Sequence, residues 1–170
     1  MKNILLIGCG HMGGSLMSGW SNFKNCTISV IDKKKYAILK KRNRNKKIKF
    51  FKSIDEINNQ NNLDYIIFAT RPLELTNVFK ELKNANFNKK SMAISVIAGK
   101  KTEIFKKNLL NISKIVRVMP NMPALIGEGV HCIYTNKSIN KKEIKEIDKL
   151  FSLSGKTLFF NSETFIDKAT

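Results

Sequence analysis

Hydrophobic and polar positions follow two rhythms along this chain. Short runs of apolar, β-branched residues alternate with stretches in which apolar residues recur every three or four positions. A short apolar run bounded by turn residues fits a buried strand, and recurrence at i, i+3 and i+4 fits an amphipathic helix. NILLIG (Asn3–Gly8) and TISVID (Thr27–Asp32) read as strands. Between them HMGGSLMSGW reads as a helix with Met12, Leu16 and Trp20 at four-residue spacing, a core-packing stripe. KKYAILKK continues as a helix and IKFF (Ile48–Phe51) as a short strand. SIDEINN follows as a short helix, with Ser53 as its cap and Glu56 at the capping-box position.

LDYIIFAT (Leu63–Thr70) is the longest continuous apolar run and suits a central strand covered on both faces. PLELTNVFKELK reads as a helix with Pro72 in its first turn. SMAISVIAG is a strand running into a glycine turn, KTEIFKKNL a helix, and SKIVRVMP a strand ended by Pro120. GVHCIYT is a strand, NKKEIKEIDKLFSLSG a helix closed by Gly155, and KTLFFN a last strand. This alternation predicts an α/β fold, a Rossmann-type doubly wound, mostly parallel sheet with helices on both faces and right-handed crossovers.

The 170 residues suffice for one domain with a single buried core. No apolar run reaches the roughly 18 residues of a membrane span, and the first residues make no convincing signal peptide, so a cytoplasmic protein is expected. Three cysteines without a CxxC pair and two isolated histidines predict no disulfide framework and no metal site. The net charge is +18, from 31 Lys and Arg against 13 Asp and Glu. The densest basic stretch, Lys33–Lys49, reads as a solvated helix face and loop without the aromatic interleaving that stacks bases. Specific nucleic-acid binding is therefore not expected, whereas attraction of a small anionic ligand is.

Gly8, Gly10 and Gly13 spell G-x-G-x-x-G where the first strand meets the first helix. In that context Gly8 permits the turn, Gly10 admits a pyrophosphate to the backbone, and Gly13 lets the helix lie close to the sheet. The N–H groups of the helix start favour phosphate oxygens. Asp32 ends the second strand at about the 20-residue offset expected of an acid that binds ribose hydroxyls. Alternatively it caps the next helix. An acid there favours NAD, while Lys33, Lys34 and Lys35 would neutralise the 2′-phosphate of NADP, so the preference stays open.

Three further stretches leave strands at the carboxyl edge, where ligands of doubly wound domains bind. They are ATRPLEL (Ala69–Leu75), ISVIAGKKTEIF (Ile94–Phe105) and VRVMPNMPALIGEGV (Val116–Val130). With GCGHMGGSLMSG they closely resemble pyrroline-5-carboxylate reductase, in order from about Lys2 to Thr170, and R-x-MPN-x-P is the most specific block. The resemblance implies NAD(P)H-dependent reduction of 1-pyrroline-5-carboxylate to L-proline. It implies cofactor binding by Gly8, Gly10, His11, Met12, Gly13, Asp32, Lys33, Ala69, Thr70, Arg71, Pro72, Ala98 and Gly99. Met119, Pro120 and Asn121 would lie near the nicotinamide and substrate; no residue is assigned as catalytic. Arg71 and Met122 depart from the lysine and threonine common in the family. Plainer roles stay open: Pro72 starting a helix, Pro120 and Pro123 shaping a turn, Arg117 as a surface charge.

The resemblance also implies a C-terminal helical domain that forms a homo-oligomer and supplies the substrate pocket. Residues 1–161 would form the NAD(P)-binding domain and 162–170 the start of the helical one, with Glu163, Phe165 and Asp167 on a helix lacking its partners. On that reading the 170 residues alone turn over weakly or not at all. The competing readings are a related NAD(P)-dependent dehydrogenase, a non-catalytic dinucleotide-binding module, and a basic nucleic-acid binder.

Overall fold

In the computed structural model, β1 (Lys2–Ile7) lies between β2 (Cys26–Ile31) and β4 (Tyr65–Phe68) and is parallel to both. The structure describes all residues except 22, 24, 122, 125, 126, 169 and 170, and the side chain of residue 168. Met122, the second departure named above, therefore lies outside the described residues. On one side of β2 the sheet ends at β3 (Ile48–Phe51); on the other side of β4 it continues through β5 (Met92–Ser95), β6 (Lys114–Pro120), β7 (Gly129–Thr135) and β8 (Gly155–Phe160). Neighbouring strands are parallel except β6 and β7, which run antiparallel with Pro120 opposite His131. The expected Rossmann-type, mostly parallel sheet is present.

Each central strand buries alternate residues on opposite faces, and both faces are covered, so the sequence shows unbroken apolar runs. Ile4 and Leu6 enter one core with α1 (His11–Ser21) and α5 (Lys141–Phe151). Leu5 and Ile7 enter the other with α3 (Leu75–Glu81) and α4 (Thr102–Asn108). In the first core Trp20 meets Phe151 edge-on at 5.9 Å and donates Nε1–H to the Leu150 carbonyl at 3.0 Å, which satisfies its one polar atom. Leu16 and Trp20 are fully buried and Met12 packs at the margin, as the four-residue stripe predicts. The second core is centred on Phe68, Phe79 and Phe105, mutually 5.0–6.0 Å apart. Over β6–β8 that face is completed by α6 (Glu163–Lys168), which buries Ile166. The remaining helix, α2 (Tyr36–Arg42), buries no residue and carries Lys40, Lys41 and Arg42 in its last turn, the solvated basic face expected there.

Three local expectations fail. Ser53 makes no capping bond: only Ile54–Glu56 form a single 3-10 turn, and the Glu56 carboxylate accepts the Lys52 N–H at 3.0 Å instead. Asn59, at φ +60°, then diverts the chain before an α-helix can form. Pro72 does not open α3, which begins at Leu75 after a turn at residues 72–74. Gly155 does not close α5, which ends at Phe151 with Ser152 as its C-cap; Gly155 is the first residue of β8, pressed against the Gly129 backbone of β7. Among the described residues no helix is long and apolar enough to cross a membrane.

Candidate functional site

β1 sends its chain toward β2 and β3, whereas β4 sends its chain toward β5 and β6. The carboxyl ends of β1 and β4 therefore border the crevice in which doubly wound domains take ligands. Gly8 leaves β1 with φ +91°, a conformation an L side chain rarely adopts. A Cβ there would lie 2.7 Å from the Ala69 carbonyl oxygen and 2.9 Å from Thr70 Cγ2. At Gly13 a Cβ would run into the Gly8 carbonyl, so a bare residue lets α1 approach the turn. At Gly10 a Cβ would meet no protein atom within 4 Å. The chain's own packing thus demands the first and third glycines but not the middle one.

Asp32 follows β2 beside this turn. Its Oδ2 accepts the Cys9 N–H at 2.8 Å and its Oδ1 the Lys35 N–H at 3.0 Å. Asp32 does not cap α2, whose N-cap position is Lys35 without a side-chain bond; its carboxylate closes the turn before that helix instead. A carboxylate offers about four lone-pair sites, so two remain for a ligand's hydroxyls. Lys35 returns its ammonium to the Cys9 carbonyl at 3.1 Å. Lys33 pairs with Glu81 and Lys34 with Glu74, each at 2.7 Å, across the mouth of a cleft of about 200 Å³. Asp32, Lys33, Lys34, Thr70, Glu74 and Glu81 are among its lining residues. The Lys34 ammonium holds the Glu74 carboxyl below the usual carboxylate range.

Two buried hydroxyls near this edge, Oγ1 of the cleft-lining Thr70 and Ser15 Oγ in α1, lack a hydrogen-bond partner among the described residues. A buried polar group without a partner costs free energy, and a polar ligand here would relieve that cost. Burial, reinforced by the Asp32 carboxylate, pushes the Cys9 thiol up, so it stays protonated and is a poor nucleophile.

The other expected site residues spread along the same edge. His11 opens α1 and is exposed; Ala69 is half-buried against the first core; Arg71 and Pro72 are exposed beyond β4. Ala98 and Gly99 form an exposed turn beyond β5. Met119 is half-buried and Pro120 buried at the end of β6. Asn121 is exposed, and its Oδ1 accepts the Val130 N–H at 2.9 Å, which ties the end of β6 to the start of β7. His131 is sealed within β7, its Nε2 2.9 Å from Ser154 Oγ, and cannot reach a substrate at this edge.

Arg117 is not a surface charge. Its side chain is 1% exposed, and Nη1 donates to Asp167 at 2.7 Å and Glu163 at 3.3 Å. The helix carrying these acids thus has partners within the sheet. Sequence reasoning missed Glu74 and Glu81 as lining residues. Their seven-residue spacing, two turns along α3, was the available signal.

Residues 3–99 match the family described as NADP oxidoreductase coenzyme F420-dependent. The chain is 30% identical over 127 residues to the pyrroline-5-carboxylate reductase of Haemophilus influenzae, a match covering 71% of this chain and 46% of that protein. It is 28% identical over 169 residues to that of Methanosarcina acetivorans, covering 99% of this chain and 62% of the relative. The solved structure of a pyrroline-5-carboxylate reductase from Coxiella burnetii has the same fold, with a TM-score of 0.81 at 23% identity; the match covers 99% of this chain and 62% of that one. The chain thus spans between about half and two thirds of the length of these relatives.

Proposed function

We propose, from the premise that this chain belongs to the family described as NADP oxidoreductase coenzyme F420-dependent, that it is the cofactor-binding part of a pyrroline-5-carboxylate reductase. It is an oxidoreductase domain, and its cofactor class is NAD(P). The proposed reaction adds a hydride to the carbon and a proton to the nitrogen of the C=N bond of 1-pyrroline-5-carboxylate, giving L-proline. The observation that carries this reading is that the glycine turn, the Asp32 carboxylate and the Met119–Asn121 segment all lie at one edge of the sheet, in a chain whose curated relatives bear that name.

On this reading the backbone from Gly8 to Gly13, with His11 and Met12 at the start of α1, takes the diphosphate through first-turn N–H groups. The open side of Gly10 is where the diphosphate approaches. The free lone pairs of Asp32 take the adenosine ribose, with Lys33 beside them; Thr70 offers its unpartnered hydroxyl, and Ala69, Arg71 and Pro72 run alongside. Ala98, Gly99, Met119, Pro120 and Asn121 flank the nicotinamide end. When bound, the nicotinamide would supply the hydride, and the flanking residues would orient it toward the imine carbon. Residues 1–161 are assigned to this domain and 162–170 to the start of a helical one that anchors the substrate and forms the oligomer.

Calorimetric titration with NADPH and NADH, followed by an assay for proline, tests the reading. Binding with only weak turnover by the 170 residues is expected. Failure to bind either nucleotide overturns the cofactor assignment; proline formation at ordinary enzyme rates overturns the division of labour.

A further inference from the structure

The two loops on the nicotinamide side leave different strands and are tied together by one side chain from the far end of the chain. Glu163 Oε1 accepts the Thr102 N–H at 2.7 Å, and Oε2 accepts the Thr102 hydroxyl at 3.0 Å. α4 has no side-chain cap of its own, since Lys101 stands at its N-cap position, so Glu163 fills that role from another helix. The same Oε1 accepts Arg117 Nη1 at 3.3 Å, and Asp167, one helical turn on, accepts it at 2.7 Å. Thr102 lies three residues beyond the Ala98-Gly99 turn, and Arg117 two residues before Met119.

Arg117 is buried, so withdrawing α6 would strand an uncompensated charge at the sheet. α4, β6 and α6 are therefore held or released together. The adenosine side is built separately, by the bonds of Asp32 to Cys9 and Lys35 and by the lysine pairs to α3.

We infer that Glu163 is a positioning residue for the nicotinamide half of the nucleotide site, fixing the Ala98-Gly99 turn and the Met119–Asn121 segment relative to each other through Thr102 and Arg117. The inference rests on the dinucleotide reading of this edge. It separates two ligands that a merely structural role would not separate. A complete dinucleotide feels the placement of both loops, whereas the same molecule without nicotinamide feels only the glycine turn and Asp32.

The test compares the wild-type chain with Glu163→Gln. Calorimetry measures the affinity for NADPH and 2′-phospho-ADP-ribose, and for NADH and ADP-ribose. Hydrogen exchange follows residues 98–102 and 119–121. In the variant, the better-bound dinucleotide is expected to weaken about tenfold, the magnitude of a lost charged hydrogen bond. Its nicotinamide-free counterpart changes by less than about twofold, and exchange in residues 98–102 accelerates. Equal weakening of both ligands, or of neither, overturns the inference while leaving the site reading intact. A wild-type chain that binds none of the four overturns the site reading and the positioning role with it. Should Glu163→Gln fail to fold, Thr102→Val decides: it removes only the hydroxyl contact, and a loss of about threefold confined to the dinucleotide is expected. Unchanged dinucleotide affinity in that variant overturns the inference.

Discussion

Asp32 accepts the backbone N–H of Cys9 through Oδ2 at 2.8 Å, tying the end of β2 to the middle of the glycine turn. Its other oxygen accepts the Lys35 N–H at 3.0 Å, so one carboxylate shapes two neighbouring loops before any ligand arrives. Such preorganisation lowers the ordering cost of binding.

Replacing Asp32 by alanine is expected to act on the fold as well as on binding. Two backbone donors lose their acceptor, at a cost of about 1–3 kcal/mol. Urea denaturation reads this as a lower midpoint with an unchanged slope. Nucleotide affinity falls in the same variant.

Gly10 and Gly13 are expected to separate binding from stability. Gly10→Val projects into space where no protein atom lies within 4 Å, so unfolding free energy stays within about 1 kcal/mol of wild type while nucleotide binding is lost. Gly13→Ala forces a methyl group onto the Gly8 carbonyl and costs about 2 kcal/mol or more. Thermal unfolding with and without nucleotide distinguishes the two.

Acid is expected to destabilise the fold through His131. Burial holds this imidazole below its usual 6.5, so it stays neutral when folded while the unfolded chain takes up a proton. The unfolded state therefore binds more protons as pH drops through 6.5. Stability is full above that value and declines until the folded pKa is passed, by at most about 1.4 kcal/mol per pH unit. His131→Gln is expected to be less stable at pH 8, because the Ser154 and Phe151 contacts change, yet to decline less steeply between about pH 6.5 and pH 5. Denaturant midpoints across that range measure both effects.

Glu74 and Glu81 are expected to set nucleotide preference more than stability. Their pairs with Lys34 and Lys33 are largely exposed, so Glu74→Gln with Glu81→Gln changes unfolding free energy by no more than about 1 kcal/mol. Two lysines freed beside Asp32 favour a 2′-phosphate, and the ratio of NADPH to NADH affinity is expected to rise severalfold, less so at high salt. Competitive titration at two ionic strengths checks this.

What could be read from the sequence depended on distance along the chain. Tyr65–Phe68 was legible as a central strand because burial on both faces leaves an unbroken apolar run. The glycine turn was legible because Gly8, Gly10 and Gly13 stand within one turn-and-helix unit. Arg117 was not legible: its carboxylates lie 46 or more residues away, and no local window distinguishes a buried guanidinium from a solvated one. Gly155 misled for a similar reason, since its need for a bare backbone comes from Gly129 on the neighbouring strand rather than from the preceding helix. The start of α3 was misplaced because proline is tolerated both in a first helical turn and in the turn before one. Glu74 and Glu81 went unread because their partners come from the β2–α2 turn, 40 and 48 residues earlier.

The cap on α4 comes from a residue translated 61 positions after the one it serves. A ribosome making this protein N-terminus first releases β5, α4 and β6 before the acids that neutralise Arg117 have been joined to the chain. Until those two residues are synthesised, Arg117 lacks the carboxylates that it meets in the finished fold. Completion of this flank is thereby deferred until Glu163 and Asp167 have been added, whereas β1 to β4 have all their strand partners long before.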